Sequence, residues 1–225
     1  MDLMQAMTER HSVRDFKEEP ISEEHVEELR NYIDQLNTDS GLRIQLILDE
    51  PKAFNSLGVR LITYYGNFRN VFNYIALIGK KSDSMAEERC GYYGEHIVLR
   101  AQLMGLRTCW VGGTYRKVPA ACELNKDEKI FAVIAIGYGN NDGVPHKSKE
   151  FSDVVTSYSG EAFPIWFKKG VEAALLAPTA MDKQRFMFSL KDNKVSVRVF
   201  PGPFTKMDLG IVKYHFEIGS GIKIF

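Results

Sequence analysis

Residues 94–113 read GEHIVLRAQLMGLRTCWVGG, and this stretch joins a long helix to a strand. The apolar spacing predicts a helix over 87–104 that ends at Gly105, since glycine takes the left-handed conformation of a helix end without steric cost. The residues RTCWV then predict a strand over 107–111, which is followed by a pair of glycines. A helix that leads directly into a strand indicates a fold in which helices pack against a sheet.

Two continuous apolar runs predict the middle of that sheet. Residues 74–79 (YIALIG) and 130–137 (IFAVIAIG) have strand length, and an unbroken apolar sequence suits strands that are covered on both faces. Residues 42–48 (LRIQLIL) alternate as a half-buried strand does. We therefore expect two central strands and a half-buried one, in addition to the strand over 107–111.

The remaining segments complete a mixture of helices and strands. Ser22 is the expected N-cap of a helix whose first turn is acidic and which residues 37–41 break. The apolar stripe of this helix consists of Val26, Leu29, Ile33 and Leu36. Further helices are expected over 2–9, 163–176 and 208–218, and further strands over 184–190 and 194–200. The predicted fold class is α+β, with a mixed sheet and helices packed against it.

The composition is typical of a globular protein that binds neither nucleic acid nor a membrane. Among 225 residues, 29 are Lys or Arg and 29 are Asp or Glu, so the formal net charge is zero, and 44% are hydrophobic. A general nucleic-acid or polybasic membrane surface needs a basic surplus that this chain lacks. The apolar runs are far too short to cross a bilayer, and the charged N-terminal residues are unlike a signal peptide.

The cysteine and histidine patterns favour a metal-free protein of a reducing compartment. Cys90, Cys109 and Cys122 are odd in number and widely spaced, which argues against a disulfide framework. The sequence has no cysteine and histidine pair at the spacing of a zinc site. We expect a cytoplasmic protein that uses no metal.

A partial internal repeat links the two ends of the chain. One alignment of the chain with itself places Gly94 on Gly210 and Gly105 on Gly221, and a second places 42–48 over 184–190. Two unrelated helix–glycine–strand units explain the pattern equally well. A true duplication would let one chain build a pseudo-twofold interface that relatives build by dimerising.

Two short segments carry candidate ligand-binding residues. Arg10–Arg14 (RHSVR) combines two guanidinium groups, an imidazole and a hydroxyl, which suit phosphate oxygens, although nearby acidic residues also make it a plausible solvated loop. Residues 177–184 (APTAMDKQ) follow a predicted helix that Pro178 ends. Their small side chains admit a planar ligand, and Thr179, Asp182 and Gln184 offer polar atoms to its edge; a plain connection is the alternative.

Two further features are open to the same two interpretations. Gly112 and Gly113 allow backbone N–H groups to face a ligand, or they form a simple turn. Lys147 and Lys149 are phosphate partners or merely exposed charges. The chain has no G-x-G-x-x-G after a strand, no phosphate loop, no H-E-x-x-H and no G-x-S-x-G, so hydrolase, nucleotide-triphosphatase and Rossmann-dehydrogenase functions lack their usual support.

Taken in order, these segments resemble the nitroreductase family of FMN-dependent oxidoreductases. Residues 9–16 (ERHSVRDF) are similar to its N-terminal phosphate-binding motif, and 105–113 (GLRTCWVGG) resemble its flavin-facing strand. Residues 134–139 (IAIGYG) and the two lysines resemble its last core strand and basic loop. Residues 177–184 resemble its small-Pro-Ser-x-x-Asn-x-Gln segment, with Thr179 in place of Ser and Asp182 in place of Asn.

The order of the segments points to a subgroup of that family. In typical members the Ala-Pro-Ser segment follows the first long helix, whereas here it lies in the second half. This arrangement resembles that of nitroreductases with a duplicated, single-chain fold. The resemblance implies that residues 1–160 of this chain form the core half with the FMN phosphate site. Residues 161–225 would then be a shortened second half that supplies the remaining wall of the flavin pocket. A pseudo-dimeric monomer and a homodimer both stay open.

The resemblance implies a role for each candidate residue. Arg10, Ser12 and Arg14 would hold the FMN phosphate and the polar edge of the flavin, with His11 beside them. The lysines would add phosphate contacts, and the residues near the ring would be Trp110, Gly112, Gly113, Pro178, Thr179 and Asp182.

The implied activity is the transfer of hydride from NAD(P)H through flavin N5 to a nitroaromatic, a quinone or a similar acceptor. The cofactor carries this chemistry, so no catalytic side chain is required. Two alternatives stay open: a flavin-binding protein without significant turnover, which serves storage, sensing or a partner, and an α/β interaction domain without a cofactor.

Overall fold

Four strands form one sheet in this computed structural model, which describes residues 1–54, 67–118, 121–156 and 162–224. The strands are β1 (Gln45–Ile47), β2 (Asn73–Lys80), β3 (Arg107–Val111) and β4 (Glu128–Gly137). Their spatial order is β1-β2-β4-β3, and each neighbouring pair is antiparallel. The predicted α+β class is confirmed, but within the described ranges parallel pairing occurs only as isolated bridges, such as that between Ser12 and Thr108.

The two apolar runs occupy the centre of the sheet, as expected. Ile75 and Leu77 of β2 belong to one hydrophobic cluster, while Tyr74 and Ala76 belong to another. Because successive side chains of a strand point to opposite faces, both faces of β2 are covered. The continuous apolar sequence of β2 therefore corresponds to burial of both faces of the strand.

The strand predicted over 42–48 is shorter than expected, and the preceding helix is longer. The side chain of Asn37 accepts a hydrogen bond from the Ile44 amide at 2.7 Å and donates one to the Ile44 carbonyl at 2.9 Å. Both polar groups of Ile44 are thus bound by a helix side chain. On the other side of this segment the Arg43 amide donates to the Ile78 carbonyl at 3.0 Å, in register with the pairing of Gln45–Ile47 and β2. The expected break at 37–41 is wrong, since this helix continues to Ser40 and ends at Gly41 with a φ of 66°.

The helices pack on one another as well as on the sheet. Their bounds are α1 (Leu3–Glu9), α2 (Glu23–Ser40), α3 (Ala86–Leu103), α4 (Ile165–Ala174) and α5 (Thr205–Ser220). Helix α3 packs against the sheet and also crosses α5, and α5 in turn packs against α4. Within the residues described, no helix is both long and apolar enough to cross a membrane.

The crossing of α3 and α5 brings two backbones into direct contact. A Cβ atom on Gly210 would overlap the carbonyl oxygen of Glu88, and a Cβ atom on Gly91 would overlap that of Met207. Any side chain at either glycine would therefore hold the helices apart. This close approach attaches the C-terminal helix to the centre of the fold.

A two-stranded sheet stands apart from the main one. It consists of β5 (Phe186–Lys191) and β6 (Lys194–Val199), joined by Asp192 and Asn193, whose φ angles are 49° and 58°. A left-handed pair of this kind is typical of a tight hairpin turn. The proposed boundary between residues 160 and 161 lies outside the described residues.

Candidate functional site

A cavity of about 250 Å³ opens between the edge of the sheet and α5. Its walls come from distant parts of the chain: the segment 10–14, the end of β3, the loop 144–146, the loop 178–182 and the first turns of α5. The structure brings most of the predicted site residues together here. Those that line the cavity are Arg10, His11, Ser12, Arg14, Trp110, Gly112, Pro178, Thr179 and Asp182.

The basic wall of the cavity is an extended segment that runs beside β3. Ser12 forms a parallel bridge with Thr108, and the Val13 amide donates to the Thr108 carbonyl at 3.0 Å. Side chains alternate along an extended chain, so Val13 enters the core while Arg10, Ser12 and Arg14 share the other side. The spacing R-x-S-x-R therefore places two guanidinium groups and a hydroxyl on one surface.

Arg10 is a buried cation with an unused hydrogen-bond donor. The residue is only 4% exposed, and its Nε has no hydrogen-bond partner among the described residues. Burial lowers the pKa of the guanidinium, and the carboxylate of Glu95, 4.0 Å from Nε, acts in the opposite direction. Arg14 on the same surface is exposed. An anionic group in the cavity would meet one preorganised arginine and one adaptable arginine.

Glu95 connects the cavity to the helix crossing behind it. One carboxylate oxygen accepts a hydrogen bond from Trp110 Nε1 at 2.9 Å, and the other lies 2.9 Å from His215 Nε2. The opposite ring nitrogen of His215 lies 3.1 Å from the carbonyl oxygen of Ala173. Because a carbonyl can only accept, His215 Nδ1 donates to Ala173, and Nε2 faces the Glu95 carboxylate.

Sequence reasoning missed this pair because its members are on α3 and α5. Both side chains are fully buried. The available signal was a carboxylate and an imidazole at core-facing positions of two apolar helices, since buried ionisable groups are almost always paired.

The loop after α4 is fixed by Gln184, which is completely buried. Its amide side chain donates to the Leu175 carbonyl at 2.8 Å, and its backbone amide donates to Thr179 Oγ1 at 3.0 Å. The Leu175 carbonyl also accepts from Ser148 Oγ at 2.9 Å. These bonds satisfy a carbonyl that the helix end leaves open and hold Pro178 and Thr179 at the cavity wall.

The structure places the remaining predicted residues outside the cavity lining. Gly113 is exposed beyond the end of β3, and Lys147 is exposed on its loop. Lys149 donates through its backbone amide to Gln184 Oε1 at 2.7 Å and through Nζ to the Gln184 carbonyl at 2.9 Å. Lys149 therefore stabilises the loop that contains Gln184, and its ammonium group is bound to a protein carbonyl.

Besides the segment 10–14 and the loop 178–182, the start of α5 forms a wall of the cavity, and the sequence prediction assigned no role to it. Phe204, Met207, Asp208 and Ile211 all line the cavity, at the spacing of one helix face. The Phe204 ring lies so close to Gly112 that a Cβ atom there would overlap it. A carboxyl inside an apolar helical stripe was the signal that could have identified this wall.

These walls suit a planar ligand that carries an anionic group. The arginines and the Ser12 hydroxyl provide charge-assisted and neutral donors, and Pro178, Thr179 and Ala180 add small side chains to the lining. The unpartnered Nε of Arg10 fits such a ligand. Within the described ranges, no group of three or more His, Cys, Asp or Glu side chains is arranged to hold a metal ion.

Comparison with known proteins gives one family and a consistent set of folds. The family model described as "Putative TM nitroreductase" matches residues 2–220. A search of curated proteins finds no match. A solved "putative nitroreductase" from Thermotoga maritima is 22% identical and superposes with a TM-score of 0.70. The match covers 97% of this chain and 83% of that chain.

Two other solved structures match a smaller share of the chain. A "putative nitroreductase in complex with FMN" from Desulfovibrio desulfuricans is 19% identical, with 73% of this chain and 99% of that chain covered and a TM-score of 0.54. A "putative NADH dehydrogenase/NAD(P)H nitroreductase" from Bacteroides thetaiotaomicron is 18% identical, with 70% and 96% covered and a TM-score of 0.51. At these identities the likeness is one of fold.

Proposed function

Because the chain belongs to this nitroreductase family, we propose that it is an FMN-dependent oxidoreductase. It takes hydride from NAD(P)H and reduces a nitroaromatic, a quinone or a similar small acceptor. The observation that carries the proposal is the polarised cavity, in which Arg10 offers a buried, unpartnered donor beside Ser12 and Arg14. The FMN-bound relative from Desulfovibrio desulfuricans, which shares the fold, supports FMN as the ligand.

Each wall has its own part in holding the cofactor. Arg10, Ser12 and Arg14 bind the phosphate and the polar edge of the ring, with His11 beside them. Gly112 lets the backbone approach the ring, next to Trp110, whose position is fixed by Glu95. When bound, FMN supplies hydride acceptance and donation at N5. The residues of the second half that border the ring are Pro178, Thr179 and Asp182.

We also propose that residues 161–225 are a shortened second copy of the fold. In the self-alignment that places Gly94 on Gly210, Gly91 falls on Met207, and these two residues touch where α3 crosses α5. A residue on a twofold axis contacts its own copy, so this contact supports a pseudo-twofold relation between the helices. On this basis one chain supplies every wall of the cavity.

The proposed setting is the cytoplasm, and the proposed partners are NAD(P)H and a small-molecule acceptor. The three cysteines are free and buried, which suits a reducing compartment. The zero net charge gives no basic surplus for nucleic acid.

The decisive experiment is the visible spectrum of the purified protein before and after anaerobic addition of NADH or NADPH. A yellow protein that bleaches supports the enzyme. Bound flavin that neither nicotinamide reduces would identify a flavin-binding protein without turnover. A colourless protein that fails to bind added FMN would overturn the proposal and favour an interaction domain.

The double substitution Arg10→Ala with Arg14→Ala should release FMN. Each charge-assisted hydrogen bond contributes about 1.5–3 kcal/mol, so the loss of two should raise the Kd at least about 100-fold. Fluorescence titration of FMN with the stripped protein measures this change.

Two further variants control the FMN titration. Arg198→Ala, on the distant strand β6, should bind FMN like the wild type. Lys147→Ala tests whether the exposed loop lysine reaches the phosphate. Unchanged retention in the double variant would show that the phosphate lies elsewhere.

A further inference from the structure

Asp208 is a carboxyl set into the apolar wall that α5 presents to the cavity. Its neighbours on that face are Phe204, Met207 and Ile211, and Asp208 itself is only 5% exposed. A carboxyl in such a place is costly unless it is bound or neutral, so its presence calls for an explanation beyond packing.

The two oxygens of this carboxyl have different surroundings. Oδ1 accepts a hydrogen bond from the Ala180 backbone amide at 3.0 Å, which ties the start of α5 to the loop 178–182. The part of the chain that the structure describes offers no hydrogen-bond partner to Oδ2, and Asp208 lines the cavity. One oxygen therefore orients the group, and the other is available to a ligand.

The burial of Asp208 favours its protonated form. Burial is the main cause of a pKa raised to about 7, the Ala180 hydrogen bond opposes it, Glu87 on α3 adds to it and Arg185 opposes it. The other titratable or charged groups that line the cavity are Arg10, His11, Arg14, His146 and Asp182. Near neutral pH, this wall thus holds a transferable proton within reach of a bound molecule.

We propose that Asp208 is the acid that protonates the oxygen of the acceptor during its reduction. The inference rests on the proposed function, which supplies the hydride. For a quinone, hydride from the reduced cofactor brings two electrons and one hydrogen, and the Asp208 O–H bond breaks as the new O–H bond of the hydroquinone forms. The carboxylate that remains recovers its proton from solvent before the next turnover.

The test separates the two half-reactions in Asp208→Asn. The amide has the same shape, and its oxygen still accepts from Ala180, but it has no acidic proton. Stopped-flow measurements at pH 6 should show that oxidation by a quinone slows at least tenfold more than reduction by NAD(P)H. The wild-type oxidation rate should fall as the pH passes about 7, and the variant should lose this dependence. Asp192→Asn, in the β5–β6 turn, controls for the loss of one carboxylate.

A second readout does not depend on turnover. The folded protein retains the Asp208 proton up to about pH 7, whereas an unfolded carboxyl releases it near pH 4. The carboxyl therefore costs stability increasingly as pH rises between these values. In FMN-free protein, the melting temperature of Asp208→Asn minus that of wild type should grow from pH 4 to pH 7 and then stay constant.

Three results would overturn the inference. Equal slowing of both half-reactions would show that Asp208 shapes the cavity without donating the proton. An oxidation rate in Asp208→Asn that keeps the wild-type pH profile would show that the proton comes from elsewhere. A protein whose flavin neither nicotinamide reduces would remove the proposed function itself, and that failure is visible in the reductive half-reaction alone.

Discussion

Replacing Gly210 by alanine should lower the free energy of unfolding by about 3 kcal/mol. The new methyl group would overlap the carbonyl oxygen of Glu88 and the amide nitrogen of Tyr92, which are backbone atoms of α3 and cannot rotate away. Overpacking typically costs about 1–3 kcal/mol and more where the opposing atoms are rigid backbone; a cost of about 4 kcal/mol here, less the gain of about 1 kcal/mol from alanine in a helix, leaves the net loss of about 3 kcal/mol. The two helices would have to separate, and the cavity wall on α5 would move with them.

Thermal or urea unfolding of FMN-free protein measures this effect. Gly113→Ala is the matched control, because no atom lies within 4 Å of its Cβ position, and it should change stability by no more than about 0.5 kcal/mol. Gly91→Ala should resemble Gly210→Ala, since its methyl group meets the Met207 carbonyl at the same crossing. The double variant should cost less than the sum of the two, because the first substitution already separates the helices. Full additivity would contradict a shared crossing.

Glu95→Ala should destabilise the protein by about 3–5 kcal/mol. The substitution removes the acceptor of Trp110 Nε1 and the partner of His215 Nε2, and it leaves Arg10 without its nearest carboxylate. Loss of one member of a buried ionic group has this cost because the remaining polar groups stay desolvated and unpaired. Urea unfolding at pH 7 checks the value.

Glu95→Gln separates hydrogen bonding from charge at the same position. The amide oxygen can accept from Trp110 while the amide nitrogen donates to a neutral His215, so the network is complete without a net charge. We expect a loss of about 1 kcal/mol, well below that of the alanine variant. Equal losses in the two variants would show that the carboxylate charge, rather than the hydrogen bonds, stabilises the crossing.

The parts of the site that the sequence could predict depend on local pattern. The alternation of Arg10, Ser12 and Arg14 is a property of any extended segment, and the buried runs of β2 and β4 follow from their composition alone. These features need no knowledge of how distant elements meet. The predicted grouping of residues 10–14 with 178–182 came from the family resemblance instead.

The features that escaped prediction are pairings between distant side chains. Asn37 binds both backbone polar groups of Ile44 through two bonds that no periodicity encodes. Lys149 has the charge of a phosphate ligand, yet its ammonium group binds the Gln184 carbonyl. Glu95 and Asp208 acquire their surroundings only when α3 and α5 cross. The chemistry of such groups depends on tertiary packing, which pattern does not specify.

The distance along the chain between the two walls of the cavity has a consequence for biosynthesis. The arginines leave the ribosome early, whereas α5, which carries Phe204, Asp208 and Ile211, is the last of the helices described here to be made. Domains can begin to fold while synthesis continues, but a pocket closed by its latest segment cannot retain a ligand before that segment docks. On the proposed function, cofactor loading is therefore a late step of maturation, and chains stalled before α5 would lack the flavin colour.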